Sequence, residues 1–82
     1  MTFSARVSIV LKPGIADPQG LTIERALPAL GYDGVKNVRV GKLIELELEA
    51  DDIDHARTSL GEMCERLLAN PVIESYEVVV DE

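Results

Sequence analysis

Val35-Lys36-Asn37-Val38-Arg39-Val40-Gly41-Lys42-Leu43-Ile44-Glu45-Leu46-Glu47-Leu48-Glu49 decides the fold class, because its reading sets the number of strands. Ile44, Leu46 and Leu48 alternate with Glu45, Glu47 and Glu49. That is the two-residue period of a strand with one face on a core and the other toward solvent or a partner. Val35 to Val40 reads as a further strand. Gly41-Lys42 then reads as a tight hairpin connection in which glycine supplies a positive φ.

Toward the N-terminus, Phe3, Ala5, Val7, Ile9 and Leu11 alternate with Ser4, Arg6, Ser8, Val10 and Lys12, which predicts a strand over Phe3 to Lys12. The stretch Pro13-Gly14-Ile15-Ala16-Asp17-Pro18-Gln19-Gly20 is dense in turn formers. Asp17 before Pro18 has the form of a helix N-cap with proline at the first helical position. Ile23, Ala26, Leu27 and Leu30 then repeat at helical spacing up to Gly31, with Pro28 predicting a kink or loosening in the last turn. Toward the C-terminus, Asp51 or Asp52 caps a second helix. Its apolar stripe is Ile53, Ala56, Leu60, Met63, Cys64, Leu67 and Leu68, and Asn70-Pro71 ends it. Val72 to Val80, apolar on both faces near Val78, Val79 and Val80, reads as a last strand covered on both sides.

The order strand, helix, strand, strand, helix, strand is the ferredoxin-like βαββαβ pattern. The expectation is an α+β fold in which two helices cover one face of a four-stranded antiparallel sheet of spatial order 4-1-3-2. The last strand would then lie on an edge. A bare, proline-free Val78-Val79-Val80 edge invites pairing, so association as a dimer or higher oligomer is expected.

Residues 1–82 form one domain, since no linker or composition break divides them. A chain of this length buries only about 60% of its extended surface, so its core is thin and partners are expected. With 15 acidic against 8 basic residues and net charge −7, the chain repels phosphate, which argues against nucleic acid and anionic membranes. No apolar run approaches the roughly 20 residues of a membrane helix and no basic segment precedes an apolar signal core, so a cytoplasmic location is expected. A single cysteine, Cys64, forms no internal disulfide, and a single histidine, His55, lacks companions at zinc-ligand spacing.

No catalytic constellation emerges. Cys64 lies on the inward stripe of the second helix and reads as a small buried hydrophobe. His55 reads as a helix-surface residue. Glu45, Glu47 and Glu49 form a solvated or partner-facing row rather than a metal site. Neither Lys12-Pro13-Gly14 nor Gly41-Lys42 matches a phosphate-binding loop. Turn chemistry between Lys12 and Gly20 exceeds what joining a strand to a helix requires. Arg39 and Lys42 stand beside the expected hairpin, where they either steer an acidic partner or balance nearby glutamates.

Leu11-Lys12-Pro13-Gly14, Asp17-Pro18-Gln19-Gly20, Leu30-Gly31-Tyr32, Val38-Arg39-Val40-Gly41-Lys42 and Leu67-Leu68-Ala69-Asn70-Pro71-Val72-Ile73-Glu74-Ser75-Tyr76 together resemble the PurS subunit family of phosphoribosylformylglycinamidine (FGAM) synthase. The resemblance implies a small non-catalytic subunit of a glutamine-dependent carbon–nitrogen ligase of de novo purine biosynthesis. Formylglycinamide ribonucleotide (FGAR), ATP and glutamine would give FGAM. It implies a large synthetase subunit that uses ATP and Mg2+, a separate glutaminase subunit, no cofactor on this chain, and assembly as its task. The expected partner-binding residues are Lys12, Asp17, Gln19, Arg39, Lys42, Asn70, Glu74 and Tyr76. A dimeric ferredoxin-like domain that binds a small regulatory molecule is the alternative.

Overall fold

The computed structural model describes residues 1–81. Its elements are β1 (Thr2–Leu11), α1 (Pro18–Ala26), β2 (Gly41–Glu49), α2 (Ile53–Met63) and β3 (Glu74–Asp81). The sheet is antiparallel and three-stranded, with β1 in the centre and order β2-β1-β3. Phe3, Ala5, Val7 and Ile9 of β1 are buried while their neighbours are exposed, as the alternation requires. Opposite them stand Leu48, Leu46, Ile44 and Lys42 of β2, and Val80, Val78 and Tyr76 of β3 oppose Ala5, Val7 and Ile9.

The expected four-stranded sheet is therefore corrected to three strands. Its order is the predicted one with a single edge strand missing, and that strand is Val35–Val40. No hairpin forms at Gly41-Lys42 either, for β2 begins at Gly41, which pairs with Val10. Two physical causes act on residues 35–40. Asn37 takes φ 60, a left-handed conformation that breaks an extended run. The N–H groups of Val38 and Val40, which would have served a ladder, donate instead to the carboxylates of Glu24 (3.0 Å) and Asp17 (2.8 Å).

The second correction concerns the helices, which do not both cover the sheet. The core joins Phe3, Val7 and Ile9 to Ala56, Leu60 and Cys64 of the second helical segment, with Ile53, Leu68, Tyr76 and Val78 packed around them. Each such large side chain contributes about 1.5–3 kcal/mol by leaving water. No side chain of α1 enters this cluster, and the only buried residue of α1 is Gly20. The molecule is accordingly elongated, with extents of 51 × 25 × 14 Å and a radius of gyration of 16.3 Å. A compact domain of this length has about 12 Å.

Asp17 caps α1 and Asp52 caps α2 through side-chain oxygens that accept from Gly20 N and His55 N. At Leu27-Pro28 the first helix tightens into a 3-10 turn that ends at left-handed Gly31, which is how the missing donor of Pro28 is accommodated. The second helix widens into a π-helical turn over Cys64–Leu68. This turn takes Leu67 out of the predicted stripe and into solvent, and Met63, just before it, is partly exposed as well. The turn at Asn70-Pro71 runs on to Ile73, so β3 begins at Glu74 and not at Val72. With no layer above it, Val79 is exposed, against the expectation of a strand covered on both sides.

Candidate functional site

Three irregular segments converge on the end of the sheet where β1 finishes and β2 and β3 meet its last residues. They are the Lys12–Asp17 loop, the Asn37–Val40 segment and the Asn70–Ile73 turn. Each is tied to another by a polar side chain acting on backbone, the economical way to order chain that lacks a ladder. Lys12 Nζ donates to the Pro71 carbonyl at 2.6 Å, and Lys12 N to the Ile73 carbonyl at 2.8 Å. Arg39 Nη2 donates to the Leu11 and Lys12 carbonyls at 2.8 and 3.2 Å.

Asp17 is the hub of the first two segments. Its Oδ1 accepts from Gly20 N at 3.0 Å and its Oδ2 from Val40 N at 2.8 Å, with Arg39 Nε 3.9 Å away. The N–H donors of Gly20 and Val40 hold its carboxyl below the ordinary value of 3.8. Partial burial opposes them and the Arg39 guanidinium assists. Glu24, one turn further along α1, repeats the device on Val38 N.

At the third segment Glu74 Oε1 accepts from Asn70 N at 2.6 Å, and Glu74 Oε2 lies 3.6 Å from Lys42 Nζ. Asn70 Oδ1 accepts from Val72 N, and the Asn70 carbonyl from Ile73 N and Glu74 N. Tyr76 lies beside Ile9, in the row that holds Lys42, and its hydroxyl donates to Glu65 Oε1 at 3.0 Å. That bond to a carboxylate, with some burial, pushes the phenol ionisation up. Gln19 lines a shallow depression with Pro18, Val40, Lys42 and Glu74.

The eight predicted contact residues thus fall at one end of the sheet. Within the chain most of them already hold contacts of their own. Lys12, Asp17, Arg39, Asn70, Glu74 and Tyr76 direct polar groups to backbone or to a neighbouring side chain, while Lys42 and Gln19 are exposed at the rim. Beside them an open groove of about 940 Å3 runs between β1 and α1, lined by Leu11, Ile15, Leu21 and Val38, with Asp17 and Arg39 at its wall. Three of the chain's eight basic residues, Lys12, Arg39 and Lys42, gather here in an otherwise acidic molecule.

Gly20, Glu24 and Gly41 were missed as site residues. A Cβ at Gly20 would lie 2.3 Å from the Val38 carbonyl oxygen, and one at Gly41 would lie 2.4 Å from that of Ile9. Their signal in the sequence was only that of turn glycines, because close approach is a property of the folded pair. Glu24 carried no signal, since a glutamate at this helical position reads as solvated surface. Cys64, fully buried, has its thiol ionisation pushed up by that burial. His55 sits at the exposed start of α2, 3.8 Å from Asp51.

The sequence matches the family PurS, phosphoribosylformylglycinamidine (FGAM) synthase, over residues 4–82. The phosphoribosylformylglycinamidine synthase subunit PurS of Synechocystis is 48% identical over 75 residues, covering 92% of this chain and 75% of that protein. The subunit of the same name from Methanocaldococcus jannaschii is 43% identical over 79 residues, covering 96% and 95%. Among solved structures, a chain of PurLQS from Thermotoga maritima superposes with a TM-score of 0.89 at 38% identity, covering 99% of each chain.

Proposed function

Because this chain belongs to the PurS family of phosphoribosylformylglycinamidine synthase subunits, a family of the purine-biosynthetic ligase, we propose that it is the non-catalytic assembly subunit of that enzyme. It would hold the large synthetase subunit and the glutaminase subunit together. The single observation that carries this reading is the stapled end of the sheet. There most of the side chains with chemistry to offer fix backbone segments of the same chain. Such a rim, rigid in backbone and cationic at Lys12 and Lys42, suits docking against protein. The assembly named PurLQS carries PurS together with PurL and PurQ, which supports the same division of labour.

The benefit is positional. Ammonia released from glutamine has to meet a phosphorylated FGAR intermediate before water does. Fixing the source and the acceptor at a set separation replaces diffusion by a guided encounter and keeps the reactive ester dry. ATP and Mg2+ belong to the large subunit in this reading, and the chain binds neither. It works in the cytoplasm and as a homo-oligomer, for which the exposed β2 and β3 edges and the thin core are the physical motives. Family membership displaces the small-molecule sensor reading.

Reconstitution tests the proposal. The large and glutaminase subunits should form FGAM from glutamine only when this chain is added, and ammonia-dependent synthesis by the large subunit should depend on it much less. Equal glutamine-dependent rates without the chain, or turnover by the chain alone, would refute the assembly role.

A further inference from the structure

We propose that Leu67 and Val72 form a preset apolar knob that docks in an apolar, carboxylate-rimmed socket on the large synthetase subunit. This rests on the assembly role above and names the part of the surface that performs it. The argument begins with a helical turn that gives up burial. Had α2 run on with α-helical spacing, Leu67 would lie three residues after Cys64 and seven after Leu60, on the face that buries both of them. Instead Ala69 N donates to the Cys64 carbonyl, five residues back, at 3.0 Å. The turn over Cys64–Leu68 therefore holds one residue more than an α-turn. Leu68 still packs on the core and Ala69 is buried, while the surplus residue, Leu67, is 82% exposed.

Val72, beyond Asn70-Pro71, is 78% exposed, and the turn that carries it is tied down. Asn70 Oδ1 accepts from Val72 N, the Asn70 carbonyl from Ile73 N and Glu74 N, and the Pro71 carbonyl from Lys12 Nζ. Apolar side chains held out on ordered backbone lose little freedom when they bind, so more of their burial appears as affinity. Arg66, next to Leu67, and Lys12, at Pro71, add positive charge, while the nearby Glu65 carboxylate is engaged by the Tyr76 hydroxyl. A socket rimmed by carboxylates complements that charge. A second copy does not. Knob against knob would set Arg66 and Lys12 against their own equivalents. A copy offering its Glu45, Glu47 and Glu49 row would make a head-to-tail contact that ends only in a ring or a filament. Glu74 joins the turn to Lys42, with Oε1 on Asn70 N and Oε2 3.6 Å from Lys42 Nζ. The knob thus continues the docking rim of Lys12 and Lys42, and one continuous surface meets one partner, here the large subunit.

The test titrates this chain into fixed large and glutaminase subunits and reads the concentration that gives half-maximal glutamine-dependent FGAM synthesis. Leu67→Gln and Val72→Ser should each raise that concentration about tenfold, while circular dichroism shows a thermal midpoint within a few degrees of wild type. Arg66→Glu should raise it as well, and make it less sensitive to salt. Deleting Leu67 puts Ala69 four residues after Cys64, so the same hydrogen bond closes an α-turn and the fold should persist without half of the knob. A photo-crosslinking residue in place of Val72, irradiated in the working mixture, should join this chain to the large subunit. Wild-type half-maximal concentrations in the folded Leu67→Gln and Val72→Ser variants overturn the knob and leave the assembly role standing. Crosslinking only to the glutaminase subunit, or only to a second copy, overturns the assigned occupant. Unfolding of the deletion variant overturns the reading of the π turn. A wild-type chain that leaves the glutamine-dependent rate unchanged overturns the assembly role, and the knob with it.

Discussion

Gly20→Ala isolates the stapled end from the core. The added methyl would lie 2.3 Å from the Val38 carbonyl oxygen and 2.8 Å from Asp17 Oδ2. Restoring van der Waals separation moves Val38 by on the order of 1 Å. Such a shift carries the Val40 N to Asp17 Oδ2 distance of 2.8 Å, and the Val38 N to Glu24 Oε1 distance of 3.0 Å, beyond bonding range. Backbone is what blocks the methyl, so the upper end of overpacking costs applies, about 3 kcal/mol. The preference of a helix for Ala over Gly returns about 1 kcal/mol. The remainder, about 2 kcal/mol, corresponds to roughly 30-fold faster amide exchange at Val38 and Val40. The measurement is hydrogen exchange by NMR, with Gly34→Ala, where a methyl meets nothing, as control. Amides of Val7 and Val78 in the sheet should keep their protection. Unchanged exchange at Val38 and Val40, or equal loss across the sheet, would show that the segment is not held as described.

Asp17 gives a pH dependence of known sign. Its folded carboxyl titrates below the unfolded value, so its stabilisation is complete above the ordinary carboxylate range and is lost as pH falls through the lowered value. Amides 38–40 should therefore lose protection on acidification below about pH 4, and Asp17→Asn should flatten that response. Leu60→Ala removes a fully buried core side chain and should cost about 3 kcal/mol. That lowers the thermal midpoint by about 12–24 °C, read by circular dichroism, and a drop of only a few degrees would contradict the core assignment. Reversing Lys42 to Glu breaks a single 3.6 Å pair between the exposed Lys42 amine and the largely buried Glu74 carboxylate, which keeps its bond from Asn70 N, so the midpoint should shift by a few degrees at most, while co-elution with the large subunit weakens. Arg39 is left out of that test because it holds two carbonyls of the Lys12 loop.

What the sequence determined by itself was whatever a few neighbouring residues decide. The alternation of β1, the Glu row of β2, the cap at Asp17, a second cap at Asp51 or Asp52, the loosening at Pro28 and the break at Asn70-Pro71 all follow from periods and side chains acting within one turn. The clustering of Lys12, Asp17, Arg39, Lys42 and Glu74 was visible only as a resemblance in separate fragments. Tertiary structure decided the rest. The valines of Val35–Val40 favour an extended segment, yet do not state which acceptors its N–H groups find, and in the fold Val38 and Val40 donate to the carboxylates of Glu24 and Asp17 instead of to a neighbouring strand. Likewise an apolar stripe on α1 states that the helix needs cover, while the fixed ends of its loops decide that its own sheet cannot supply it, because a periodic pattern records a face and contains no address for what the face meets.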